Sequence, residues 1–333
     1  MKNVDPRPIK SDLKSYRIHP EMEKPSRWSF LKILREYSTL KEFYPDINPY
    51  AEAYKFRDNT YCIFTEGLEK ICGDMWHYLI IGPEKAMLID TGFGVGNLKA
   101  LCDKLSGGKE LIVVNTHNHI DHCSGNFWFD KVWIHELDYP GLMAQMRPGL
   151  VIKACCDENG MPRDTYFDVN DLAPFRKYEV ETFRDGHIFD LGDGYQIEAV
   201  HLGGHSLGQS AFFDHQTGCI FIGDTTSAMG ISKDDPNYYY STINCLRDNL
   251  KKLQPRFEKI SGVFPGHGTI DLHWYALQYI LDAAERIIAH PERWDTRVVV
   301  KRNGVEVERL AKMIYQQGSD LKYTMNGVIK EVD

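Results

Sequence analysis

Three histidines and an aspartate fall within six residues at His117-Asn118-His119-Ile120-Asp121-His122, in a chain with 13 histidines among 333 residues. Neutral imidazole and carboxylate are the ligand types that Zn²⁺ and similar cations take. The cluster follows the apolar run Leu111-Ile112-Val113-Val114, so a strand would deliver it and release it into a loop. Residues 117 and 119 point the same way if that loop begins extended. Asp121 and His122 follow where the chain must turn. One cation could be gripped by the first pair and a second by the later pair.

Four further segments bring chemistry to the ends of apolar runs. Leu88-Ile89-Asp90-Thr91-Gly92 ends in a carboxylate that could accept from a ligand imidazole and so orient it. Gly203-Gly204-His205-Ser206-Leu207-Gly208-Gln209 sets His205 in a glycine-rich loop where backbone can pack close to an ion. Phe221-Ile222-Gly223-Asp224-Thr225 offers Asp224, a carboxylate able to bridge two cations. Val263-Phe264-Pro265-Gly266-His267-Gly268 ends in His267 between glycines. His201 stands four residues before His205, inside the strand-like run YQIEAVHLG, which suits a structural role. The remaining histidines, including His77, His135 and His187, belong to no such motif.

The set HNHIDH, GGHSLGQ, IGD and PGHG, led by LIDTG, resembles the metallo-β-lactamase fold superfamily of hydrolases in type and order, over about residues 60–270. The resemblance implies an α/β fold, an αββα sandwich with the metals at one edge of two sheets. It implies two divalent ions, Zn²⁺ first, with Fe or Mn as other occupants. His117, His119 and His205 would hold one ion, Asp121, His122 and His267 the other, Asp224 would bridge, and Asp90 would stand behind the ligands. The implied activity is that of a metal-dependent hydrolase. A hydroxide between the metals would cleave an ester, lactone, thioester or amide of a small molecule, with Asp121 orienting water or passing a proton. Phosphodiester hydrolysis would use the same groups, and some members instead bind one iron and oxidise persulfides. Asp224 stands where zinc β-lactamases of clinical resistance carry a cysteine. Ser227 stands near where some lactonases carry a tyrosine, although Tyr238, Tyr239 and Tyr240 follow.

Composition narrows the partners. The chain is 43% hydrophobic and 26% charged, ordinary for a globular protein, with net charge −8 and no long basic run. A nucleic-acid partner is therefore not expected. No apolar run reaches the roughly 18 residues of a membrane span, and the start MKNVDPRPIK carries no secretory pattern. The eight cysteines include no CxxC pair. Reduced thiols in a cytoplasmic protein acting on a small molecule are the expectation. Met143, Met146, Tyr166 and Phe167 would either pack residues 136–180 onto the domain or suit an apolar or aromatic ligand. Nothing in the sequence speaks to oligomeric state.

The elements that must position these residues follow from periodicity. TYCIFTE, WHYLIIG, KAMLID, ELIVVNT and KVWIH read as strands, with a helix at NLKALCDKL. Residues 136–180, with several prolines, read as a helical and loop insertion near the site. Strands resume at HIFDLG, YQIEAVHLG, QSAFFDH, GCIFIGD and ISGVFPG, with helices at Ser241–Leu253 and Asp271–His290. In the extension, Trp28 to Tyr37 has the spacing of a short helix. The division expected is an N-terminal extension over 1–58, a hydrolase domain over 59–290 and a C-terminal tail over 291–333.

Overall fold

The computed structural model describes residues 11–18, 30–69, 73–302, 305–315 and 319–330. Two sheets carry the fold. The first has eight strands, in spatial order Glu179–Phe183, Lys131–His135, Glu110–Val114, Lys85–Ile89, Met75–Ile81, Thr60–Thr65, Ala51–Arg57 and Lys41–Glu42. The second has five, Ile188–Asp190, Gln196–His201, Ser210–Asp214, Cys219–Gly223 and Gly262–Pro265.

Alternation along each strand assigns its two faces. Cys219 and Phe221 enter the core between the sheets, with Trp76, Tyr78, Met87, Ile89 and Phe264. Ile220 and Ile222 face the other way, into a core with the helices Ile243–Leu253 and Tyr275–Ala289. Leu79 and Leu88 on the first sheet pack outward against Leu98, Leu101 and Cys102 of the helix Leu98–Ser106. Both sheets are thus covered on both faces, which is why their strands read as near-continuous apolar runs. The result is the expected αββα sandwich.

Helix ends fall where local chemistry stops them. Thr242 caps Ile243–Leu253 by accepting from the Cys245 N–H at 3.3 Å. The last long helix begins at Tyr275 rather than Asp271, because Asp271 sits at φ +55 and its carboxylate binds Arg57. The N-terminal helix covers Phe30–Tyr37, and Trp28 lies outside the described residues.

Three stretches carry more strand than their sequence suggests. Lys41–Glu42 and Ala51–Arg57 extend the first sheet by antiparallel pairing. Thr165–Tyr166 pairs with Tyr16–Arg17, and Glu179–Phe183 joins the sheet edge in parallel with Lys131–His135. Beyond residue 290, Thr296–Arg302, Val305–Tyr315 and Ser319–Tyr323 form a sheet completed by Ser227–Ala228. Leu310, Ile314, Leu321 and Tyr323 of this sheet share the core of the two long helices. Among the described residues no helix is long and apolar enough to cross a membrane, and Cys62, Cys102, Cys123, Cys155, Cys156, Cys219 and Cys245 are buried free thiols. Cys72 lies outside the described residues.

Candidate metal centre

Four strands end at one edge of the sandwich, and each releases a motif there. Lys85–Ile89 is followed by Asp90, Glu110–Val114 by the HNHIDH segment, Cys219–Gly223 by Asp224, and Gly262–Pro265 by His267. The loop between Gln196–His201 and Ser210–Asp214 brings in His205. Asp90 itself adopts φ +62, a left-handed turn that Asp tolerates better than most residues. Gly266 is needed for close approach, since a Cβ there would come within 2.7 Å of His122 Cε1 and 2.8 Å of Asp224 Oδ1.

The side chains converge in three overlapping groups: His117, His119 and His205; His117, His122 and Asp224; and Asp121, His122 and His267. In the first, His119 Nδ1 lies 3.0 Å from His117 Nε2 and 2.8 Å from His205 Nε2. Asp224 spans the groups, with Oδ2 3.6 Å from His205 Nε2 and 3.4 Å from His267 Nε2, and Oδ1 3.4 Å from His122 Nε2. Asp121 Oδ2 is 3.4 Å from His267 Nε2 and 3.8 Å from His122 Nε2. An ion with tetrahedral bonds of about 2.0–2.1 Å spaces its ligand atoms about 3.3 Å apart. The observed spacings bracket that value. His122 Nε2 and Asp224 Oδ1 are buried with no hydrogen-bond partner, a costly state unless something else binds them. The donor set therefore fits divalent cations.

Electrostatics separates the two sides. Burial, reinforced by the neighbouring His122, His119 and His205, holds the His117 imidazole well below its usual range. Burial and His119 push His205 down to about 3. Both rings stay neutral, the form that ligates. On the other side burial would also lower His122 and His267, but the carboxylates outweigh it. Asp224, Asp90 and Asp121 raise His122 well above its ordinary value, and Asp224 and Asp121 raise His267 to about 10. Asp121 and Asp224 lie well below the usual carboxylate range: burial works against this, and His122 and His267 overcome it. A cation arriving there would displace protons from these imidazoles.

Four of the rings are oriented from behind. His122 Nδ1 lies 2.8 Å from Asp90 Oδ2, and Asp90 also accepts from the Thr116 N–H and hydroxyl at 2.8 Å. His117 Nδ1 lies 3.0 Å from the Thr116 oxygen. His267 donates from Nδ1 to the Asp74 carbonyl at 2.9 Å, and His205 Nδ1 lies 2.5 Å from Ser227 Oγ. Ser227 is held in turn by the C-terminal sheet, where the Lys322 N–H donates to the Thr226 carbonyl at 3.0 Å.

Sequence reading overlooked Asp74, Ser227 as a partner of His205, and Asp138. The buried Asp138 carboxylate accepts from the Asn118 N–H at 3.1 Å, the Gly208 N–H at 2.8 Å and the Ser206 hydroxyl at 2.6 Å. It ties the loop of His117 and His119 to the loop of His205. No motif marks it within HELDYP. His201 takes its structural part, bonded through Nε2 to the Leu207 carbonyl at 2.8 Å and stacked on His135 at 4.4 Å. His77 is a buried core histidine, pushed down to about 3 by burial and by His122 and His267.

Of the two roles open to the apolar side chains of the insertion, packing is the one most of them take, as it is for the residues at the start of the strand Met75–Ile81. Met75 and Trp76 are fully buried. Trp76 clamps the PGHG turn, donating from N–H to the Gly266 carbonyl and from Nε1 to the Gly268 carbonyl, each at 2.9 Å. Phe167 is buried, Met146 packs against the cluster containing Leu142, and Tyr166 stacks on Tyr16 at 4.9 Å. Met143 stays exposed. The tyrosines after Asp224 turn away: Tyr238 donates to the Asn326 carbonyl, Tyr239 to Asp248, and Tyr240 sets its ring against His201.

Residues 76–273 match the family model described as the metallo-beta-lactamase superfamily. Curated relatives include acyl-coenzyme A thioesterase MBLAC2 of Gallus gallus, 26% identical over 228 residues that cover 62% of this chain and 78% of the relative. Hydroxyacylglutathione hydrolase of Pelagibacter ubique is 24% identical over 197 residues, covering 58% of this chain and 66% of the relative. Among solved structures, a metallo-beta-lactamase from Pontibacter korlensis aligns with a TM-score of 0.51 at 19% identity, covering 71% of this chain and 99% of that one. That likeness is one of fold.

Proposed function

Because this chain belongs to the metallo-β-lactamase superfamily, a family of metal-dependent hydrolases, we propose that it hydrolyses small acyl thioesters at a two-ion centre, most simply of zinc. The observation that carries the reading is the joined ligand set, in which Asp224 reaches both His205 and the His122–His267 pair. His117, His119 and His205 would hold one ion and Asp121, His122 and His267 the other, with Asp224 between them. Divalent cations held there supply Lewis acidity and bring the ionisation of water towards neutral pH.

The chain's own residues then position and hold protons. Asp90 keeps His122 Nδ1 engaged, so Nε2 faces the centre. Thr116 does the same for His117, Ser227 for His205 and the Asp74 carbonyl for His267. Asp121, which must be a carboxylate to ligate a cation, suits an acceptor that orients water rather than an acid that protonates a leaving group.

That last point favours thioesters. An alcohol or amine leaves poorly without a proton, whereas a thiol ionises near about 8.5 and leaves as the thiolate. The three tyrosines that follow Asp224 direct their hydroxyls or rings elsewhere. The names of the relatives agree, one acting on acyl-coenzyme A and another on hydroxyacylglutathione; they lend nothing to an iron persulfide oxidase. The test is a panel of acyl-coenzyme A and S-acylglutathione thioesters against matched oxygen esters, lactones, a β-lactam and a phosphodiester. Thioesters should lead in kcat/KM by about tenfold or more, about 1.4 kcal/mol in transition-state binding. A lactone or phosphodiester turned over faster would overturn the thioester assignment.

A further inference from the structure

The N-terminal extension reaches the metal edge through one side chain. Tyr16–Arg17 pairs with Thr165–Tyr166 of the insertion. From that pair Arg17 meets both Gly67 and Asp74. Its Nη2 forms an ion pair with Asp74 Oδ1, and its Nη1 donates to the Gly67 carbonyl and to Thr165 Oγ1, each at 3.3 Å. Thr165 Oγ1 donates to the same Gly67 carbonyl at 2.7 Å, and the Gly67 N–H donates back to Asp74 Oδ1 at 3.2 Å. Gly67 and Gly73 approach so closely that a Cβ on Gly67 would lie 1.6 Å from the Gly73 oxygen. The product of this knot is a fixed Asp74 carbonyl, which accepts from His267 Nδ1 at 2.9 Å. Next to it, Met75 forms a β-bridge with His267 itself.

We propose that Arg17 is a positioning residue for the ion held by Asp121, His122 and His267. Through Asp74 it fixes the ring orientation and tautomer of His267 from a strand outside the sandwich. The inference rests on the reading of those three residues as one ligand set. It gives the extension and the insertion a shared task, since the strand pair and Thr165 bring Arg17 to Asp74. A guanidinium suits the task because it engages a carboxylate, a carbonyl and a hydroxyl from one planar group.

The experiment measures zinc retained by the full chain at each step of a titration with a chromophoric chelator, together with thermal midpoints. Arg17→Ala should weaken one of the two ions by about 10–100-fold, as loss of a partner behind a ligand does, while the other ion and the midpoint hold. Thr165→Val, which keeps the side-chain volume and removes only the hydroxyl, should weaken the same ion in the same direction. Arg17→Lys should recover part of the loss by restoring the charge opposite Asp74. His267→Ala is the control. If it loses one ion while Arg17→Ala and Thr165→Val bind both as the wild type does, the ligand assignment stands and the positioning role of Arg17 is overturned. If His267→Ala also keeps both ions, the ligand assignment fails and this proposal fails with it.

Discussion

Replacing Asp224 with alanine is expected to remove more function than any other single change outside the histidines. Its two oxygens face His122 on one side and His205 and His267 on the other, at 3.4–3.6 Å. On the proposed two-ion reading, a carboxylate in that place would offset charge from both ions. Its loss leaves Asp121 as the carboxylate shared by His122 and His267, with Asp90 behind His122 alone. Metal content should fall from two ions per chain to one or none. Thioester turnover should drop on the order of 10³-fold or more, about 4 kcal/mol of transition-state stabilisation. Asp224→Asn, which keeps the shape and removes the charge, should behave almost as badly. The fold should survive both changes, because the core between the sheets does not include Asp224. Elemental analysis and circular dichroism on the same sample separate loss of metal from loss of structure.

The second large effect concerns stability. Glu52 is fully buried and paired with Arg35, with Arg35 Nε to Oε2 at 2.8 Å and Nη2 to Oε1 at 3.3 Å. Lys41 Nζ at 2.9 Å and the Tyr54 hydroxyl at 2.7 Å complete its partners. Arg35 is nearly as buried, lies over the Phe64 ring at 4.3 Å, and also meets Glu66 at 3.4 Å. Removing one member of such a pair strands the other charge away from water. Glu52→Ala should therefore cost about 3–5 kcal/mol, read by chemical denaturation at neutral pH. Burial alone would raise the Glu52 carboxyl, but Arg35 reverses this and holds it below the ordinary range. With the folded value below the unfolded value of about 4.3, its contribution is full above that pH and is lost as pH falls through the folded value. Glu66, raised by burial despite Arg35, has the opposite sign and favours the fold in acid. Glu52→Gln should accordingly flatten the acid limb of stability against pH. An unchanged acid limb would show that Glu52 does not carry it.

The residues that converge at the sheet edge were readable in the sequence because most of them follow an apolar strand directly, while the resemblance pointed to His205 in its loop. The αββα layering came from the resemblance. What escaped has long-range causes. Ala51–Arg57 hides its alternation because the charged Glu52 points inward to meet Arg35, so hydropathy does not track burial. Asp138 reaches Gly208 across 70 positions and Arg17 reaches Asp74 across 57, distances over which no periodicity carries information. The expectation of a tail over 291–333 passed over a local cue as well, since Asn303-Gly304 in the sequence is a hairpin signal. The part that the strands beyond residue 290 play in the site becomes visible only once Lys322 is seen pairing beside Ser227.

Metal content per chain, measured alongside acyl-thioester hydrolysis, tests the central claim most directly. Two zinc-class ions per chain are predicted, with turnover lost on chelation and regained when zinc is returned. One iron per chain with oxygen consumption, or full thioester turnover after every ion is removed, would contradict it.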